Sequence, residues 1–269
     1  MLEIMHAPKE SVRSGDGVSI GFTQIGQGPP LVFVHGSLGD GDDWRKVVSL
    51  LAGRFTCYVM DRRGRRQSGD AAEYSIDREY EDVAAVIQHA GLETSVIAHS
   101  FGAICALGAA LRIPVASLVL YEPPIPVSGP VAGAALEEYR AAVERGALDE
   151  ALEIGLKRFS RMPDEEIARV RQGRMWAKQR ALSPTWVREL QAIDQHGPSL
   201  ERYRAISAPA LLLLGTDSTA LRGASEALVR VLPAARLELL EGQGHVAHFR
   251  APEEFAEKIV AFLTAQSLQ

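Results

Sequence analysis

The sequence predicts an α/β protein, a mostly parallel doubly wound sheet with a helical insertion after the sixth strand. Three observations lead there. Short apolar, β-branched segments alternate with segments of helical period, the pattern of a parallel sheet covered on both faces. Ser100 stands where an apolar strand ends and an apolar helix begins, with Ala98 and Gly102 two positions either side, a spacing that suits a very tight turn. From residue 122 to 209 the alternation gives way to consecutive helical stretches.

Taken in order, Val12 and Val18–Thr23, split by Gly15-Asp16-Gly17, read as a hairpin. Strands follow at Leu31–Val34, Phe55–Met60, Ser95–Ala98, Ser117–Tyr121, Ala210–Leu214 and Arg236–Leu240. Helices fit Asp42–Leu51, Ile76–Ala90, Phe101–Leu111, Ala220–Val231 and Pro252–Thr264. The intervening stretch reads as Leu136–Gly146, Leu148–Phe159, Asp164–Arg180 and Pro184–Ile193, separated by Gly, Pro and Ser. The chain is thereby divided into a core of residues 1–122 and 206–269 and a helical subdomain of residues 123–205.

Composition sets bounds on partners. With 269 residues and 46% hydrophobic content the chain can bury a large core. A net charge of −5 argues against a polyanionic partner such as nucleic acid. The cluster Arg62, Arg63, Arg65 and Arg66 is read as a solvated surface loop within an acidic whole. No apolar run approaches the ~18 residues of a membrane span, and Met1 to Arg13 carry charges without the apolar block of a secretory signal. Cys57 on a strand and Cys105 in a helix read as buried thiols of a reducing compartment. The expectation is a cytoplasmic protein acting on a small molecule, without nucleic acid or membrane; a homodimer is compatible with it.

Four motifs carry chemistry. The first is the turn at Ser100, a nucleophile elbow in which Ala98 adds one methyl to the usual first glycine. After Pro29-Pro30, the strand Leu31–Val34 runs into a His-Gly loop, His35-Gly36-Ser37. Leu237–Leu240 leads to Gly242-Gln243-Gly244-His245, whose glycines let the backbone bring an imidazole over the sheet edge. Asp61-Arg62-Arg63-Gly64-Arg65-Arg66-Gln67-Ser68 follows a strand, with Arg66 where the pattern D-x-R-G-x-G-x-S has its second glycine. Together these features, spread over nearly the whole chain, resemble the α/β-hydrolase superfamily, in particular its capped serine esterase and lactonase-like branch.

The resemblance implies roles. Ser100 is the nucleophile and His245 its general base, with the amides of Ser37 and Phe101 as oxyanion donors. The insertion is a helical cap, in which Trp176, Trp186 and Met175 are candidate substrate contacts, with His248 at the pocket rim or surface. Two carboxylates compete as triad acid. Glu122, followed by Pro123-Pro124 after the sixth strand, is preferred for its longer reach and rigid backbone. Asp217, after the next strand, comes one residue early for G-x-x-D and reads otherwise as a helix N-cap. His35 is read as bracing the oxyanion loop, and His99 as structural. His35, His99, His245 and His248 lack metal-ligand spacing, so neither metal nor cofactor is expected.

The chemistry implied is hydrolysis of a carboxylic ester or lactone with apolar groups through an acyl-enzyme on Ser100. A serine at the elbow speaks against the branches that need an aspartate nucleophile. A lyase of the hydroxynitrile type, a C–C bond hydrolase, and a ligand-binding signalling protein with a slow triad are the alternatives that the same scaffold admits.

Overall fold

Eight strands form one sheet: β1 (Lys9–Arg13), β2 (Ser19–Ile25), β3 (Pro30–Val34), β4 (Thr56–Met60), β5 (Ser95–His99), β6 (Ser117–Tyr121), β7 (Ala210–Gly215) and β8 (Ala235–Leu240). They belong to a computed structural model that describes residues 9–91 and 93–266. Of the segment read above for a secretory signal, residues 1–8 lie outside the described residues. The order across the sheet is β1-β2-β4-β3-β5-β6-β7-β8. The hairpin β1–β2 and the pair β2–β4 are antiparallel; from β4 onward every pairing is parallel. The fold is the mostly parallel α/β sheet that the alternation of elements predicts.

The central strands explain their own placement. β5 and β6 are buried at all five positions, and β7 at all six, as strands covered on both faces must be. The strand order changes direction between β3 and β5, and at such a switch point the carboxyl ends of the strands open a crevice. Flanking helices are α1 (Arg45–Leu51), α2 (Ile76–Ala90), α3 (Phe101–Ala110), α8 (Thr219–Val231), α9 (Ala247–Arg250) and α10 (Pro252–Gln266). The expected helix Asp42–Leu51 begins instead as a 3₁₀ turn over Gly41–Trp44, capped by the Asp40 side chain on the Asp42 N–H. α3 is buried over Phe101–Ala109, which suits a helix apolar on every side. Cys57 and Cys105 are buried free thiols, and burial pushes the Cys57 thiol up to about 12. Among the described residues no helix is long and apolar enough to cross a membrane.

The arginine cluster is the main correction to the sequence reading. Arg62, Arg63 and Arg65 are buried, at 1% exposure or less, not solvated. Arg62 and Arg63 meet carboxylates on α2, whose N-cap Ser75 accepts the Arg78 N–H. Glu79 and Asp82, one helical turn apart, are themselves buried. Arg62 forms a two-pronged pair with Glu79, Nε to Oε2 at 3.0 Å and Nη2 to Oε1 at 2.8 Å. Arg63 does the same with Asp82 at 2.6 and 2.8 Å, and also reaches Asp16. A planar guanidinium can enter a core in this way because a facing carboxylate satisfies its forked donors. Arg66 alone is partly exposed, paired with Asp42 at 2.8 Å. Its φ is +35°, so it takes the left-handed turn that a glycine would adopt more readily there.

The chain divides into two compact units. One comprises Met1–Gly36, Asp40–Pro123 and Leu200–Gln269; the other, Ser37–Gly39 and Pro124–Ser199. The helical unit thus ends at Ser199 rather than 205. Residues 200–205 go with the sheet unit, where the 3₁₀ turn Glu201–Ala205 buries Tyr203 completely.

The helical unit contains α4 (Ala135–Glu144), α5 (Leu148–Arg158), α6 (Asp164–Arg171) and α7 (Met175–His196). The expected break near residue 181 therefore lies instead at Gln172-Gly173-Arg174, and α7 runs through Pro184. Proline inside a helix costs about 3 kcal/mol or more, so packing must outweigh it. Trp176, Ser183, Trp186, Val187, Leu190 and Ile193 supply that packing as one buried stripe. Gly155 on α5 leaves room for the Trp186 ring, which a Cβ there would approach to 2.3 Å. The Asp194 carboxylate accepts the N–H groups of Val131, Ala132 and Gly133, tying the entry of this unit to the end of α7.

The buried pairs separate two classes of arginine by stability. Arg63→Ala is expected to lower unfolding free energy by about 3–5 kcal/mol, since it strands the Asp82 carboxylate. Arg66→Ala should cost about 1 kcal/mol at most, as an exposed pair. Urea unfolding midpoints at pH 7 measure both; equal losses would mean that the two sites are equally solvated.

Candidate active site

Ser100 joins β5 to α3 with φ +54° and ψ −126°, a conformation that costs a non-glycine residue about 1–3 kcal/mol unless its surroundings impose it. The surroundings are tight. The Ser100 N–H donates to the Tyr121 carbonyl at 2.8 Å. At Gly102 a Cβ would lie 2.4 Å from the His35 carbonyl oxygen, and at Gly36 one would lie 2.9 Å from Ser100 Cβ. Both positions exclude any side chain, because α3 must start directly beneath the end of β3. Ala98, in the other small position, is fully buried in β5 and is accommodated.

The Ser100 hydroxyl oxygen lies 3.0 Å from His245 Nε2. His245 Nδ1 in turn lies 2.6 Å from Glu122 Oε2. Glu122 is fully buried, and its second oxygen accepts the Gly215 N–H at 2.8 Å. It has φ +50°, so two successive strand ends, β5 and β6, carry strained backbone at polar side chains that converge. Asp217 is exposed. It does not cap α8 either, whose N-cap is Ser218; its N–H donates to the Gln243 carbonyl. Of the two carboxylates, Glu122 is the one beside the imidazole.

A set of aromatic groups holds the His245 loop. The His99 ring Nε2 donates to the His245 carbonyl at 2.9 Å, which assigns the ring tautomer if the imidazole is neutral. Burial does keep His99 neutral by pushing its pKa well below 6.5. The Tyr121 hydroxyl donates to the Gly244 carbonyl and accepts the Ala247 N–H at 3.0 Å. His35 is completely buried. Its Nδ1 faces the Gly36 carbonyl at 2.8 Å and its Nε2 accepts the Arg62 N–H at 3.0 Å.

The other expected contacts have the following surroundings. His248 is not at a rim: it is 1% exposed, with ring centroids 4.5 Å from His99 and 5.1 Å from Trp44. The short helix α9 turns it inward onto the apolar layer. Trp186 packs edge-on against Tyr139 and Phe159 in the core of the helical unit. Trp176 is also buried in that unit, its indole N–H donating to Asp149. Met175 is 36% exposed at the start of α7. These three side chains belong to the packing and surface of their own unit. Phe101 is buried at the first position of α3, where the amide has no partner within the helix. Ser37 directly follows Gly36. Among the described residues no group of three potential ligands could hold a metal ion.

His99, Tyr121, Arg62 and Glu79 were not among the sequence-derived site residues. The one signal for the last two was the placing of Glu79 and Asp82 on α2 in phase with the apolar positions Tyr80, Val83 and Ile87, opposite an arginine-rich loop.

Burial holds the His248 imidazole down to about 3. The unfolded chain therefore binds a proton near 6.5 that the folded chain refuses. Stability from this residue is complete above pH 6.5 and falls as the pH drops toward 3. Between pH 7 and pH 5 the loss should be about 2 kcal/mol. His248→Leu should remove that part of the acid sensitivity, measured by denaturant unfolding at the two pH values; identical slopes would mean that His248 titrates normally.

The family model for the alpha/beta hydrolase family matches residues 31–258. An alpha/beta hydrolase structure from Sphaerobacter thermophilus is 32% identical, covering 94% of this chain and 100% of that one with a TM-score of 0.86. A thermophilic esterase from Thermogutta terrifontis superposes with a TM-score of 0.74 at 22% identity, over 97% and 99% of the two chains. In sequence, the sn-1-specific diacylglycerol lipase of Mus musculus is 24% identical over 253 residues, 87% of this chain and 81% of its own. With the elbow, the strand order and a match over most of its length, the chain belongs to the α/β-hydrolase family.

Proposed function

We propose that the chain is a serine hydrolase of carboxylic esters or lactones bearing apolar groups. The observation that carries this reading is the unbroken sequence of contacts from Ser100 Oγ to His245 Nε2, and from His245 Nδ1 to Glu122 Oε2. A hydroxyl is a weak nucleophile until a base takes its proton, and a base histidine works best when a carboxylate holds its other nitrogen.

In the proposed reaction Ser100 Oγ bonds to the acyl carbon while its proton passes to His245 Nε2. The carbonyl π pair moves onto oxygen, and the Ser37 and Phe101 amides stabilise that oxyanion. The intermediate collapses by breaking the bond to the alkoxy oxygen, which takes the proton from His245. Water then repeats the sequence on the acyl-enzyme, releasing the acid and restoring Ser100. Glu122 favours the Nδ1–H tautomer and stabilises the imidazolium formed at each attack. Its own position is kept by the Gly215 N–H. That the mouse relative is named a lipase and the Thermogutta structure an esterase supports an acyl ester as substrate class.

Turnover of a panel of p-nitrophenyl esters and lactones, with fluorophosphonate labelling of Ser100, tests the reading. Ser100→Ala should abolish labelling and lower kcat by several orders of magnitude, about 10⁶-fold in comparable triads. His245→Ala should match it. A variant of Ser100 that kept a tenth of the wild-type rate would remove the serine from the mechanism.

The acid is tested separately. Glu122→Gln should cut kcat by about 10⁴-fold through the wrong tautomer. Asp217→Asn, at an exposed site, should leave kcat unchanged and stability within about 0.5 kcal/mol. The opposite ranking would transfer the acid role to Asp217.

A further inference from the structure

We infer that Arg62, anchored by Glu79, is a positioning residue that aims the oxyanion donors at Ser37 and Phe101. The inference rests on the hydrolase reading above and concerns a part of the site to which no role has been given.

The Arg62 guanidinium makes three kinds of contact at once. Two of its nitrogens are taken by the Glu79 carboxylate. The third, Nη1, donates to the Gly36 carbonyl at 3.1 Å. Its Cζ lies over the Phe101 ring, 4.6 Å from the centroid. Arg62, Glu79 and Phe101 are all completely buried, so none of these contacts competes with solvent.

The Gly36 carbonyl belongs to the same peptide group as the Ser37 N–H. A trans peptide is planar, and its C=O and N–H point in opposite directions; none of the described peptide bonds is cis. Whatever fixes the direction of the Gly36 carbonyl therefore fixes the direction of the Ser37 N–H. Two donors hold that carbonyl. One is Arg62 Nη1; the other is the His35 ring Nδ1 at 2.8 Å. The Arg62 N–H itself occupies His35 Nε2, which leaves the imidazole proton on Nδ1, where it faces the carbonyl. Arg62 thus acts on Gly36 twice, through its side chain and through the histidine that its backbone orients. Hydrogen bonding to a carbonyl, especially from a cation, also polarises the amide and strengthens its N–H as a donor.

The second donor is treated in parallel. Phe101 is the first residue of α3, and its ring is clamped beneath the guanidinium. One side chain touches both the peptide group that carries the Ser37 N–H, through the Gly36 carbonyl, and the ring of Phe101. A lysine could not replace it, since a single ammonium cannot span both Glu79 oxygens, reach Gly36 and stack on a ring.

The test compares three variants in the full chain. Arg62→Met with Glu79→Leu removes both charges and leaves neither buried alone. Arg62→Lys keeps the charge and loses the fork, and is read by itself if the double variant does not fold. Arg63→Lys is the control, a weakened buried pair that does not touch Gly36. Each is assayed for kcat and KM on a p-nitrophenyl ester that the wild type hydrolyses. Each is also assayed for Ki with an aryl trifluoromethyl ketone. Addition of Ser100 Oγ to that ketone, with the proton passing to His245, leaves a tetrahedral oxyanion.

The Arg62 variants should lose between about 10- and 100-fold in kcat, short of the 10²–10³-fold typical of a donor removed outright. KM should hardly move, and Ki should rise by the factor that kcat loses. The Arg63→Lys control should lose stability with kcat and Ki unchanged. Unchanged kcat in the Arg62 variants overturns the inference, as does a fall in kcat without a matching rise in Ki, or an equal fall in the control. A wild type that hydrolyses no ester and takes no fluorophosphonate overturns the hydrolase reading itself, and the inference with it. An active wild type with unaffected Arg62 variants overturns the inference alone.

Discussion

The site depends first on the strained backbone of Ser100. Its surroundings hold it there: α3 begins against the end of β3, Gly102 has no room for a Cβ, and the Ser100 N–H is tied to β6. The strain is imposed by packing on fully buried elements rather than by a local preference, so it persists at rest. Its product is a hydroxyl held at the carboxyl edge of the sheet, at the switch point between β3 and β5. Every other functional group is placed relative to that point.

Glu122 and His245 reach it from the ends of two different strands, both later in the chain. His245 arrives on the loop after β8, steadied through its own carbonyl by His99 and through its neighbours by Tyr121. Glu122 rises from the end of β6, directly beside β5, where φ +50° turns its side chain under the imidazole. The end of β7 contributes a backbone donor, the Gly215 N–H, instead of a carboxylate. A buried glutamate with one oxygen held by an amide and the other by the imidazole has little freedom left to misorient that ring.

Charge buried beside the site has a structural cost. Removing Arg62 and Arg63 from water is repaid only because Glu79 and Asp82 meet their forked donors closely. What such pairs add over an apolar core is direction: a guanidinium has a plane and fixed donor vectors, and these are set against the Gly36 carbonyl and the Phe101 ring. The same loop carries Arg66 at positive φ, with its charge on Asp42 at the surface. Arg62, Arg63 and Arg66 therefore do different work within one short turn.

Much of this was legible in the chain. The alternation of elements foretold the sheet, and local spacing marked Ser100 and His245, because a tight elbow and a glycine-flanked histidine leave their trace in adjacent residues. Reach and a rigid backbone favoured Glu122 over Asp217, but local sequence alone did not decide between them. Both follow strands, and only the pairing of β6 beside β5 decides which carboxylate lies near the imidazole. The arginine loop was misread for a related reason: its partners Glu79 and Asp82 lie on a helix well separated in sequence, so local charge suggested solvent. His248 looked like a rim residue until α9 turned it into the apolar layer. Trp176 and Trp186 read equally well as ligand walls or helix core, since helical spacing is common to both. Local backbone geometry is written in local sequence; long-range pairing of buried charge and the facing of side chains are settled only when the elements pack.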